Sequence, residues 1–149
     1  MPLSAEGGAV SENVEIVRPA LEAGARRDAE EVFALYDREV EWDARRMQLG
    51  VEDAVYRGHD GLIRFYGAWR ETWEDDEYGY DELMDVDGPV ISIATQQGRG
   101  RASGRPVNRT LVGLWTVRNT KIVRVVWFLS REEALKAVGL KGGDVRGER

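Results

Sequence analysis

The segment YDREVEWDAR places a carboxylate, Asp43, directly after an indole, Trp42, with Ala44 next. A positioned carboxylate can take a proton in the transition state, and an alanine cannot. Farther along, Gln96 offers an amide, and Arg99, Arg101, Arg105 and Arg109 offer guanidinium groups around a glycine-rich stretch. Arg109 could meet a carboxylate or enolate with two parallel donors. The other reactive types are sparse. His59 is the one histidine and sits beside Asp60, so a metal site lacks partners at ligand spacing and a Ser-His-Asp triad is unpersuasive. With no cysteine, thiolate nucleophiles, disulfides and cysteine-ligated metals are excluded. The acidic run ETWEDDEYGYDELMDVD lacks the spacing of a calcium loop and reads as a charged surface. GRGRASG lies between strand patterns and reads as a hairpin rather than a phosphate cradle. No cofactor or metal is expected.

The elements that must position these groups come from periodicity. Ser11 is placed to cap a first helix carrying Val14, Val17 and Leu21, kinked at Pro19. Asp28 with Glu31 forms a capping box for a second helix with Val32, Leu35 and Tyr36 inward. EVEW is a short strand, and residues 44–58 an irregular loop suited to cover a pocket mouth. Asp60 caps a third helix whose Leu62, Phe65, Trp69 and Trp73 share a face. The period then becomes 2, with Tyr78, Tyr80, Met84 and Val86 expected on one face and three more strands following. Ser130 with Glu133 caps a short last helix. Residues 1–10 and 141–149 read as a flexible leader and tail around one domain, 11–140.

The balance of helices ahead of an antiparallel sheet indicates an α+β fold. The last strands are apolar on both faces, which asks for cover on the second; a homodimer through the sheet supplies it. A net charge of -6 argues against nucleic acid as a partner. No apolar run reaches the length of a membrane span, and no secretory signal opens the chain, so no membrane partner and a cytoplasmic setting are expected.

From about Val10 to Leu140, through LYDREVEWD, YRGHDGLIRFY and LWTVRNTKIVRVVWFLSREEALKAVGL, the chain resembles the SnoaL-like branch of the NTF2-like superfamily. The resemblance implies a cone: a curved antiparallel sheet wrapped around three helices, here with a short C-terminal helix, enclosing a deep pocket and usually dimeric. The superfamily holds ketosteroid isomerases, polyketide cyclases, limonene-epoxide hydrolases and non-catalytic binders, so the fold leaves function open. The isomerase base falls on Ala44, one place past Asp43, and the isomerase tyrosine near Ala20 or Leu21. The hydrolase Arg-x-Asp pair falls on Ala94 and Gln96, and its second Asp on Trp127. For the late acid of the cyclases, VVWFLS offers only Ser130.

The same register turns Trp42, Gln96, Arg109, Leu111, Trp115, Val125, Trp127 and Leu129 inward, joined by Phe65 and Trp69. Trp42, Phe65, Trp69, Gln96, Arg109, Trp115 and Trp127 are the candidate ligand-binding residues. They describe an aromatic pocket for a small apolar or aromatic molecule, with catalysis not demonstrated. Two alternatives stand beside it. One is an isomerase- or cyclase-like enzyme with Asp43 as base and Gln96 or Arg109 at the oxyanion. The other is a non-catalytic dimeric interaction domain whose tryptophans fill their own core.

Overall fold

The computed structural model describes residues 11–47 and 55–139. The expected leader and tail, and residues 48–54 of the 44–58 loop, lie outside the described residues. Those described form helices α1 (Glu12–Arg26), α2 (Ala29–Leu35), α3 (Gly58–Thr72) and α4 (Arg131–Ala137). Six strands accompany them: β1 (Tyr36–Asp43), β2 (Val55–Arg57), β3 (Trp73–Asp85), β4 (Val90–Gly100), β5 (Pro106–Arg118) and β6 (Lys121–Phe128).

Caps set the helix ends. The side chains of Ser11, Asp28 and Ser130 accept from the backbone N–H of Val14, Glu31 and Glu133, each satisfying a donor the helix cannot. Ser11 also bonds the Asp85 carboxylate, and Asn13 Nδ2 donates to Gly88 O at 2.8 Å, tying the start of α1 to the end of β3. α1 runs through Pro19 as one element. α3 starts earlier than expected, at Gly58 after Arg57, leaving Asp60 in the first turn where its charge suits the helix dipole.

The strand around Trp42 is longer than EVEW. Tyr36, expected on the second helix, begins it, and Tyr36, Val40 and Trp42 bury alternate side chains. The six strands form one sheet in the order β2-β1-β6-β5-β4-β3. It is mixed rather than antiparallel throughout, because β1 and β6 pair in parallel, Trp42 opposite Val125. Parallel neighbours need a long crossover, and the whole span from α3 to β5 provides it.

β3 departs from strict alternation twice. An extra residue falls between the pairs Glu74–Arg99 and Glu77–Gln97, and another between Tyr80–Ala94 and Glu82–Ile93. Each bulge turns the following residues to the opposite face. Tyr78 and Tyr80 therefore pack inward with α1, while Met84 and Val86 pack on the outer face, contrary to the single face expected for all four.

The sheet's inner face carries Leu111, Trp115, Val125 and Trp127 against the helices, forming the main core with Val17, Trp42, Leu62 and Phe65. Its outer face carries Ile91, Val112, Leu114, Val126 and Phe128, and α4 folds onto it through Ala134 and Leu135. Leu129, expected inward, lies past the end of β6 and is 37% exposed.

Candidate functional site

Between the helices and the inner face lies a cavity of ≈ 320 Å³. Its wall includes Tyr36 and Trp42 from β1, Phe65 and Trp69 from α3, Trp115 from β5 and Trp127 from β6. Trp42 is the centre of the ring cluster. Its ring centroid lies 5.0 Å from Phe65, 5.5 Å from Trp127, 5.8 Å from Tyr66 and 6.4 Å from Trp115, in tilted and edge-on contacts that such rings favour. Trp115 is fixed by its Nε1 donating to Ser92 Oγ at 2.9 Å. Gly113 makes room for this arrangement: a Cβ there would stand 2.6 Å from Trp115 Nε1 and 3.1 Å from the Trp127 ring.

The polar groups of the wall are few. Burial raises the Tyr36 and Tyr78 hydroxyls well above the ordinary phenol value, and pushes Tyr66 up to about 12 against a hydrogen bond from Tyr36 that lowers it. All three are neutral donors at physiological pH. The Tyr78 hydroxyl and the indole N–H of Trp42 and Trp127 are buried with no hydrogen-bond partner among the described residues. Leaving such a donor unmade costs about 1–3 kcal/mol.

Asp43 is not part of the wall. It is 1% exposed, and Arg45 grips both oxygens: its backbone N and Nε reach Oδ1, each at 3.1 Å, and Nη2 reaches Oδ2 at 2.8 Å. Arg46 Nη1 adds a contact at 3.5 Å. Burial alone would raise this carboxyl, but the bonds from Arg45 and the two guanidinium charges outweigh it and hold it below the usual range. Ala44, next to it, is fully buried in the core.

The carboxylate that does line the cavity is Asp76, which the sequence reading had assigned to a charged surface. The first β3 bulge places it there. Asp75 takes a left-handed conformation (φ 53°), and Gly98 opposite lets the bulged backbone approach, since a Cβ on it would stand 3.0 Å from Asp76 Cα. Trp69 Nε1 donates to Asp76 Oδ2 at 2.7 Å and Gln96 Nε2 to Oδ1 at 3.0 Å. Arg109 Nε in turn donates to Gln96 Oε1 at 3.0 Å, with its guanidinium 5.3 Å from the Trp73 ring centroid. Burial lowers the Arg109 pKa and the Asp76 charge partly restores it.

Gln96 and Arg109 thus share the inner face, paired across β4 and β5, yet neither lines the cavity. Instead they brace Asp76. The guanidinium groups that do line it are Arg27, at the end of α1, and Arg70, near the end of α3. Sequence reading missed both, because on the helices it counted only the apolar face, with Phe65 and Trp69, as inward. His59 is half-buried, stacked on Phe33 with ring centroids 4.8 Å apart, and its Nε2 lies 3.0 Å from Tyr36 O. Among the described residues, no group of three His, Cys, Asp or Glu side chains could hold a metal ion. Nor is any described helix long and apolar enough to cross a membrane.

Solved structures share this architecture. An NTF2-like protein of unknown function from Burkholderia pseudomallei matches with a TM-score of 0.69 at 22% identity, over 89% of this chain and 99% of its own. TerC, co-crystallised with polyporic acid, matches with a TM-score of 0.69 at 20% identity, over 80% and 92%. A protein of ketosteroid isomerase-like fold from Catenulispora acidiphila, in complex with trimethylamine, matches with a TM-score of 0.65 at 15% identity, over 85% and 93%. At such identities the likeness establishes an NTF2-like fold. No curated protein matches the sequence. The SnoaL-like domain profile matches residues 17–125, which span β1 to β6 and nearly all the cavity wall, and on that match the chain belongs to the SnoaL-like domain family.

Proposed function

We propose that this protein binds a small apolar or aromatic molecule in the cavity beneath Trp42. The observation that carries this reading is the ≈ 320 Å³ volume bounded mainly by apolar and aromatic side chains. Cavities of this size and lining are typical of small-molecule sites. Its openness weighs against an interaction domain whose cone is filled by its own side chains. The polyporic acid and trimethylamine complexes of the fold relatives are in keeping with ligand binding. A thermal-shift screen against steroids, polyketide-like phenols and terpenoid epoxides tests it. A ligand at 100 times its Kd stabilises by about 2.7 kcal/mol, and filling the cavity with Leu111→Trp should abolish that rise. If no compound raises Tm in the parent chain, the reading fails.

Proton transfer of the isomerase or cyclase kind is a second reading, and Asp76 favours it. Asp43 serves poorly as base, since two arginines hold it away from the cavity wall. Asp76 lies on that wall with its orientation fixed by Trp69 and Gln96. Turnover of a bound enolisable ketone lost in Asp76→Asn and kept in Asp43→Asn would support it; the reverse pattern would reject it. The epoxide hydrolase route lacks side-chain support, with Ala94, Gln96 and Trp127 at its charged positions.

Assembly is a separate matter. A dimer through the sheet was expected to cover the second apolar face, but α4 already buries Phe128 and Val126 within one chain. Sedimentation velocity decides between one copy and two. The absence of cysteine supports a cytoplasmic location.

A further inference from the structure

Resting on that reading of the cavity, we propose that the ligand is an anion: a flat apolar acid bound ring-inward, its carboxylate or enolate held at the mouth by Arg27 and Arg70. Both side chains are exposed and both line the cavity, together with the exposed Ile63. Neither has an ion pair or a side-chain hydrogen bond among the described residues. Their neighbours do: Arg26 pairs with Glu31, and Arg101 with Glu74 at 3.5 Å. Two guanidinium groups without an ion pair among the described residues thus stand on one cavity, in a chain of net charge -6. Guanidinium is suited to a planar acid, which it can meet with parallel donors.

Arg27 carries a second sign. It ends α1 in a left-handed conformation (φ 61°), its N–H capping Ala23 O and Gly24 O. Glycine is the ordinary residue there, because it adopts that conformation without steric cost. An arginine at this point accepts backbone strain and gains a cation beside the opening. Arg70 also suits the negative end of α3, so its charge alone would be unremarkable without Arg27 on the same cavity.

Within the cavity the charge is of the other sign. Asp76 is on the wall, and the nearby phenols remain protonated. An acid entering head-first would bring its charge toward Asp76, whereas ring-first it meets Trp42, Trp115 and Trp127.

Isothermal titration of the intact chain with 2-naphthoate and with neutral 2-naphthamide tests the proposal. The parent should bind the naphthoate about ten-fold more tightly than the amide, the difference expected of a charge-assisted hydrogen bond. Arg27→Gly combined with Arg70→Gln should erase that preference, so that the two probes bind equally. Because glycine suits the left-handed position and Arg70 is exposed, an undiminished Tm for the double variant shows that the loss is not unfolding. Equal binding of the two probes, or a naphthoate affinity indifferent to the double substitution, overturns the anion proposal and leaves the cavity reading standing. If neither probe binds the parent, the anion proposal falls, and the cavity reading is decided by the thermal-shift screen. A large gain in naphthoate affinity for Asp76→Asn would place the carboxylate deep and overturn the ring-inward orientation.

Discussion

Asp43 and Asp76 show how neighbours decide what a carboxylate does. Asp43 is buried under two arginines and works as a fastening for the turn after β1. Its pKa is held below the usual value, so its contribution to stability is present above the unfolded pKa of about 3.9 and drains away as pH falls through the folded one. Asp43→Asn should therefore cost about 1–3 kcal/mol at neutral pH, from the broken Arg45 bonds. Urea melts of the two proteins should converge in strong acid. Asp76 accepts from the neutral donors of Trp69 and Gln96, and Asp76→Asn keeps an acceptor for one of them. Its expected cost is smaller, about 1 kcal/mol. If Asp76→Asn proves the more destabilising of the two, the roles assigned here are reversed.

Single glycines and single inserted residues set the shape of the strands. Gly113→Ala would drive a Cβ into Trp115 and to within 2.8 Å of Ser92 Oγ, displacing the ring that Ser92 anchors. Overpacking of this kind costs about 1–3 kcal/mol. Equilibrium unfolding followed by tryptophan fluorescence checks it, and an unchanged midpoint would contradict the packing described. The same fine structure explains what the amino-acid order could and could not disclose. Counting alternate residues puts Trp42, Trp115 and Trp127 on the inner face, where they lie, because β1, β5 and β6 are regular along those stretches. The count also put Gln96 and Arg109 inward, but it cannot tell that Asp76 and Trp73 occupy them. Asp76 itself was illegible: alternation fails at a bulge, and its signals are local, an acidic run opposite Gly98. Arg27 and Arg70 escaped notice because helix ends obey capping rules that say nothing about which cavity a long side chain reaches.

Across the molecule, the outer face of the sheet is met by a short helix of the same chain. The helix α4, only seven residues long, packs Ala134 and Leu135 into the apolar cluster of that face, and a second copy on it remains a proposal. Leu135→Ala should cost about 2–5 kcal/mol, as for other buried leucines. That loss should not depend on protein concentration; a concentration-dependent midpoint would mean that another copy shares the cover. The central pairing of β1 with β6 has a further consequence, for biosynthesis. Glu41 and Arg124, joined at 2.9 Å, are 83 positions apart in the chain. The floor beneath Trp42 is therefore absent until the last strand has been made. A nascent chain leaving the ribosome at residue 120 holds every helix of the chamber and no way to shut it. Long-range closure of this kind is slow, and the half-made product exposes its indoles to whatever chaperone stands nearby.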